Sequence, residues 1–313
     1  SIDCGWARVG RFTGAHNTTK YEALGRKIAN QKKGLEVEAH LVPRAEQHKE
    51  IGTDAYYGGI VYPAHGSLDP GKYHQGLLLR ALGAGATVIP HCPVQAIERD
   101  GGGFTVTTPK GRVAARDVIV ATNGYTPPVT PDLRRRVIPI GSYMIATEPL
   151  DPAVAARLMP KARVTSDTRK IVVYYRLSPD RRRILFGGRV ALMETDPRVT
   201  APRLHAELTA IFPELAQTRI THSWAGFVAY TFDTMPHLGK WQDGLYYSMG
   251  YCGSGVSLAS YFGTRLGQQV LGLKEGRTAL DGLDFPTRPF YTGLPWFLAP
   301  TLIWYRLRDR VNF

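Results

Sequence analysis

Apolar positions along the chain recur with two spacings, one helical and one alternating. Thr19-x-x-Glu22 forms a capping box, Leu24 and Ile28 follow at helical spacing, and Gly34 stops the pattern. The spacing predicts a helix over 20–33. Residues 35–62 read as short strands and turns ending in "YYGGIVYP". Asp69-Pro70 can cap and open a second helix, which runs through Leu77, Leu78 and Leu82 to Gly83 and Gly85. "ATVIP" then reads as a buried strand. "VQAIER", "FTVTTPKG" and "RVAARDVIVATNGY" alternate or run apolar between two turn signals, Gly101-Gly102-Gly103 and Pro109-Lys110-Gly111. They predict a three-strand antiparallel excursion and a return strand, "DVIVAT".

The Pro-rich loop "TPPVTPDLRRR" interrupts this sheet, and a second one follows: "VIPIGSYMIATE", "IVVYYRLS" and "RILFGGRV". The last two form a hairpin around Ser178-Pro179-Asp180, and a helix near 202–212 covers them. "ITHSWAGFVAYTFDTMPHLG" leads back to the strand "GLYYSMG". The turn "GYCGSG" then opens a helix from Ser254 to about Leu271, ended by Gly272. Two sheet systems interleave along the chain, which predicts a mixed fold: α/β plus α+β.

Composition narrows the class. The chain has 313 residues, 43% hydrophobic and 21% charged, as in a globular protein of one large or two ordinary domains. No apolar run reaches membrane-spanning length. Ser1 opens no signal peptide, and the missing initial Met reads as a processed product or a fragment. The formal charge is +13, yet its densest runs, Arg134-Arg135-Arg136 and Arg181-Arg182-Arg183, follow turn residues. They read as solvated loops, and no nucleic-acid-binding signature accompanies them. Cys4, Cys92 and Cys252 are odd in number and far apart, which argues for a reducing, cytoplasmic setting and against a disulfide framework or metal site. His65, His222 and His237 have no metal-ligand spacing either.

The glycine turn at 250–255 is the strongest chemical signal. Glycines let a backbone approach a ligand, and the helix behind them aims free N–H groups and a partial positive charge at it. That outlines a site for an anion or a dipole. The dinucleotide fingerprint Gly-x-Gly-x-x-Gly is absent: Gly83-Ala84-Gly85 and Gly253-Ser254-Gly255 both lack the third glycine.

"GLLLRALGAGATVIPHCPVQAIE", "FTVTTPKGRVAARDVIVATNGY", "WAGFVAYTFDTMPHLG" and "LYYSMGYCGSGVSLASYFG", in this order, resemble the FAD-dependent D-amino-acid oxidase superfamily, which includes glycine and sarcosine oxidases. "YYGGIVYP", "YYRLSPD", "RILFGGR" and "PFYTGLPWFLAP" resemble most its gamma-glutamylputrescine oxidoreductase-like branch. The likeness covers nearly the whole chain. It implies a partial Rossmann-like FAD-binding domain interleaved with an antiparallel-sheet substrate domain. The expected division is 1–34, 63–130 and 224–275 for FAD, 35–62 and 131–223 for substrate, and 276–313 as a C-terminal tail. In the family the fingerprint sits on a first βαβ unit upstream of the region matching Ser1. The chain therefore reads as N-terminally truncated, and is expected to be inactive by itself.

The resemblance also assigns residues. Gly253, Ser254, Gly255 and Val256 would offer backbone N–H groups to the flavin ring edge, where charge collects on reduction, and Gly250 would be a further cofactor contact. Ala121, Thr122, Asn123 and Gly124 end a buried strand at the edge where such folds bind dinucleotides. Val94 would face the adenine or be a plain strand valine. Asp233 lies in a stretch that passes close to the flavin, with an Asx-turn as the alternative. Cys252 reads as a small filler. Val228 stands where the family's amino-acid oxidases carry a carboxylate-gripping Arg, which disfavours a simple amino acid as substrate. Alternation sends Tyr174 and Arg176 to one strand face. There they would grip an amine's stem and a distal carboxylate, with Tyr251 nearby, or be a core Tyr beside a surface Arg. No side-chain base stands out. The expected activity is oxidation of a small-molecule amine, or gamma-glutamyl amine, to an imine. A fold kept without FAD is the alternative. The apolar, then basic tail would dock on the body, contribute to a homo-oligomer, or lie on a membrane surface.

Overall fold

The computed structural model describes residues 1–189, 191 and 194–311; Val190, at the end of "RILFGGRV", and the last two residues of the tail lie outside them. The described elements are β1 (Arg11–Gly14), α1 (Thr18–Ala29), β2 (His40–Val42), β3 (Gly59–Tyr62), α2 (Pro70–Gly83), β4 (Ala96–Asp100), β5 (Gly103–Thr108), β6 (Gly111–Ala115) and β7 (Val118–Val120). They continue with α3 (Pro131–Arg134), β8 (Val137–Thr147), α4 (Pro152–Leu158), β9 (Val164–Asp167), β10 (Val173–Leu177), β11 (Ile184–Gly188) and α5 (Pro197–Ile211). Last come β12 (Ile220–Thr231), β13 (His237–Gln242), β14 (Leu245–Met249), α6 (Gly255–Val270) and α7 (Leu298–Val311). The mixed α/β plus α+β class is as expected.

The chain divides into two compact units, 1–85 with 142–226 and 297–313, and 86–141 with 227–296. The first is built on a sheet of order β12-β8-β11-β10-β9-β1-β3-β2. β1 is its junction: it pairs antiparallel with β3 and parallel with β9, setting Arg11 beside both Tyr62 and Val164. One face carries Phe12, Tyr143, Ile145, Val173, Tyr175 and Phe186, which pack with Leu204 and Leu208 of α5 in the main core. The opposite face is half-exposed over five strands and carries Arg11, Thr13, Val164, Tyr174, Arg176, Leu185, Ser142 and Met144. Residues 1–34 and 63–85, expected beside the cofactor, share this unit because β1 and β3 belong to its sheet.

The second unit holds a three-stranded sheet β13-β14-β7 and the antiparallel excursion β4-β5-β6. β14 runs parallel to β7, with Tyr246 beside Ile119. β7 has no partner on its other side among the described residues, and Ile119 is 46% exposed.

Three local expectations are corrected. The cap of α1 is Asn17, whose side chain accepts the Lys20 N–H at 2.8 Å, not Thr19. Asn17 has the extended backbone a cap needs, whereas Thr19 is already inside the helix. "ATVIP" forms no strand: it pairs with no described strand, and Val88 and Ile89 stand 50% and 52% exposed. Val94 consequently sits in a loop rather than opening a strand.

Candidate functional site

In the second unit β7 and β14 end side by side, and the chain leaves each through a tight turn. Asn123 (φ 47°) and Cys252 (φ 50°) adopt left-handed backbone, which costs a non-glycine residue on the order of 1 kcal/mol and is concentrated at functional turns. The two turns are tied: Asn123 Oδ1 accepts the Gly250 N–H at 2.9 Å. Thr122 and Thr126 hydroxyls bond at 2.9 Å. Ala121 and Thr122 are exposed, whereas Gly124 is buried against Phe227.

From β14 the chain passes through Gly250, Tyr251, Cys252 and Gly253 into α6. Ser254 occupies the cap position but makes no side-chain cap bond, and no acidic residue lies in the first turn. The first N–H groups of α6 therefore keep their unmet donors and the positive end of the dipole. Room remains in front of them. A side chain at Gly253 (φ +96°) would meet nothing within 4 Å, and one at Gly255 would come no nearer than 3.5 Å to Tyr251. Val256 is 55% exposed.

Two expected residues are engaged locally. Asp233 accepts the Met235 N–H at 3.1 Å, an Asx-turn, and faces the buried His237 ring at 3.0 Å. Burial opposes its charge, yet the Met235 N–H and the His237 ring outweigh burial and hold the carboxyl below its ordinary range. The Tyr251 hydroxyl bonds Ser248 at 2.7 Å, and burial raises its pKa. Val94 is 37% exposed. The cofactor candidates thus all lie in one unit, gathered at 121–124 and 250–256, with Asp233 in the turn whose Thr231 contacts Cys252 at 3.5 Å, and Val94 in a separate loop.

Tyr174 and Arg176 lie in the other unit. The Tyr174 ring crosses Gly187, where any side chain would collide with it, and its hydroxyl bonds Ser142. Arg176 donates to the Ser67 hydroxyl and, at 2.7 Å, to the Leu68 carbonyl. Sequence reasoning missed Arg11, which shares this face. A four-residue strand "RFTG" carries no signal that separates a sheet-floor arginine from a solvated one. No group of His, Cys, Asp or Glu among the described residues could hold a metal ion, and Cys4, Cys92 and Cys252 are free.

Residues 1–269 match the family model described as FAD dependent oxidoreductase. The chain belongs to that family. A probable oxidoreductase OrdL of Rhizobium meliloti is 34% identical over 86% of this chain and 63% of its own length. Gamma-glutamylputrescine oxidoreductase of Escherichia coli is 30% identical, over 99% of this chain and 73% of its own. The chain spans about two thirds of the curated relatives it matches, 66% and 63% of the first two. Glycine oxidase from Geobacillus kaustophilus superposes with a TM-score of 0.77 at 20% identity, covering 92% of this chain and 76% of that one, so the fold is shared. No described helix is long and apolar enough to cross a membrane. The residues present fit FAD, because the uncapped, unobstructed start of α6 is a donor cluster with space for a flat, electron-accepting ring edge.

Proposed function

We propose that the protein oxidises a C–N bond of an amine or gamma-glutamyl amine to an imine, which water hydrolyses. The observation that carries this reading is the open N-terminus of α6 at the ends of β7 and β14. Bound there, FAD supplies the hydride acceptor. The N–H groups of Gly253, Gly255 and Val256 would hold the ring edge and favour its negatively charged form, because preformed dipoles need no reorganisation as charge develops, whereas the Ser254 N–H already donates to the Tyr251 carbonyl at 2.9 Å. Ala121, Thr122, Asn123 and Gly124 line the cofactor's path, with Val94 toward the adenine. The second unit is assigned the cofactor and the large sheet of the first the substrate, through Tyr174 and Arg176. Tyr251, in the second unit, is a further candidate substrate contact. Rate comes from positioning and from removing water around a neutral amine, without an obligatory side-chain base. The 30% identity to gamma-glutamylputrescine oxidoreductase supports an extended amine. Val228, at the place of the carboxylate-gripping Arg, argues against simple amino acids.

The test is a visible spectrum of the full-length protein, purified and desalted, followed by anaerobic addition of gamma-glutamyl amines, glycine, sarcosine and D-alanine. Retained flavin, bleached faster by the amines, is expected. Failure to hold added FAD, or fast bleaching by D-alanine with amines inert, would overturn the reading.

A further inference from the structure

Arginines that the large-sheet unit takes out of water mostly find an acid. Arg163 meets Glu50 at 2.5 Å, Arg189 meets Glu194 at 3.0 Å, and Arg169 bridges Asp167 and Glu207. The half-exposed sheet face breaks this pattern. Arg11 donates at 2.7 Å to the Ser166 hydroxyl, which lies 3.4 Å from that of Thr13. Arg176, two strands away on the same face, reaches only a hydroxyl and a carbonyl. Arg11 pairs with no carboxylate among the described residues, and Arg176 feels only the charge of Asp69, which lies outside salt-bridge distance. Burial lowers the pKa of both, and burial followed by the charge of Arg11 lowers that of His65. A desolvated cation without a counter-charge is costly, and the cost is removed when an anion arrives.

The surroundings fix where that anion sits. Ser166 is in register with Tyr174. The Tyr174 ring turns away from it, across Gly187 to Ser142, so the floor beside the Arg11 guanidinium is not covered by Tyr174. The next residue in that row, Val164, is small and lies directly beside Arg11 on β1.

We propose that this face binds a carboxylate through Arg11, with Ser166 and Thr13 positioning its guanidinium and Tyr174 bounding the site. The inference deepens the amine reading and rests on it for the ligand's class: an amine that also bears a carboxylate. A planar guanidinium suits this group because it offers paired N–H donors.

The experiment is titration of the purified protein with glutarate and its neutral diamide, followed by calorimetry. The parent is expected to bind glutarate and not the diamide. Arg11→Gln should weaken glutarate binding about tenfold to a hundredfold, as loss of a charge-assisted hydrogen bond does, and Arg11→Lys should fall between. Should Arg11→Gln fail to fold, the Lys variant decides. Equal glutarate affinity in the parent and in either folded variant would overturn the inference, as would a parent that does not discriminate the two probes. Flavin retained with no Arg11-dependent binding sinks this inference alone. Arg11-dependent binding in a protein that holds no flavin sinks the flavin reading alone.

Discussion

Gly255 has room for a side chain that the fold does not use. Its Cβ would sit at an ordinary 3.5 Å from Tyr251, and alanine is the better helix former by roughly 1 kcal/mol. Gly255→Ala is therefore expected to keep or slightly raise the melting temperature while weakening flavin binding several-fold, measured by release of bound FAD. A variant that loses stability but binds FAD normally would make Gly255 a structural turn. Asp233 supports a pH dependence. Its carboxyl is held below the ordinary value of about 3.9, so its contribution is fully present above that value and lost as pH falls through the lower folded-state value. Asp233→Asn should flatten the acid limb of stability below about pH 4, read from urea midpoints; an unchanged limb would show that the bond to His237 carries no net charge effect. At this scale the sequence was legible where backbone chemistry is visible in letters, as in Gly253-Ser254-Gly255. It was illegible at Arg11, whose meaning depends on Ser166, a residue 155 positions away.

The two ends of α1 show why elements are read more easily than their boundaries. A helix with apolar Leu24 and Ile28 was plain, but its cap was read two residues too late, at Thr19. Backbone conformation chose Asn17. Asn17→Ala should cost about 0.5–2 kcal/mol, and Thr19→Ala far less, by thermal denaturation. The reverse ranking would restore the capping box. β10 and β11 were legible because each alternates and a turn joins them. β9 was missed, since "VTSD" has no apolar alternation; its identity as a strand comes from β1 and β10 on either side. "ATVIP" is the converse, apolar enough for a strand but lacking a neighbour. Local pattern states a preference, and hydrogen-bonding partners decide it.

Both units are assembled from separated segments, the first from three and the second from two. Interleaving was visible in the order of the sheets, but the side of the division taken by residues 1–34 was not, because that depends on which strand β1 joins. A fragment ending at residue 150 contains β1 but not β9, and part of the main core without α5. It is expected to be protease-sensitive and prone to association. A soluble, resistant fragment would show that β3 alone suffices for β1. The parallel pairing of β1 with β9 joins Arg11 to Val164, 153 positions apart, and this sets a clock on biosynthesis. At the usual pace of translation the ribosome needs roughly 8–30 s to cover that distance. For that interval one side of β1 waits without its native neighbour, an unpaired edge of the kind that chaperones cover.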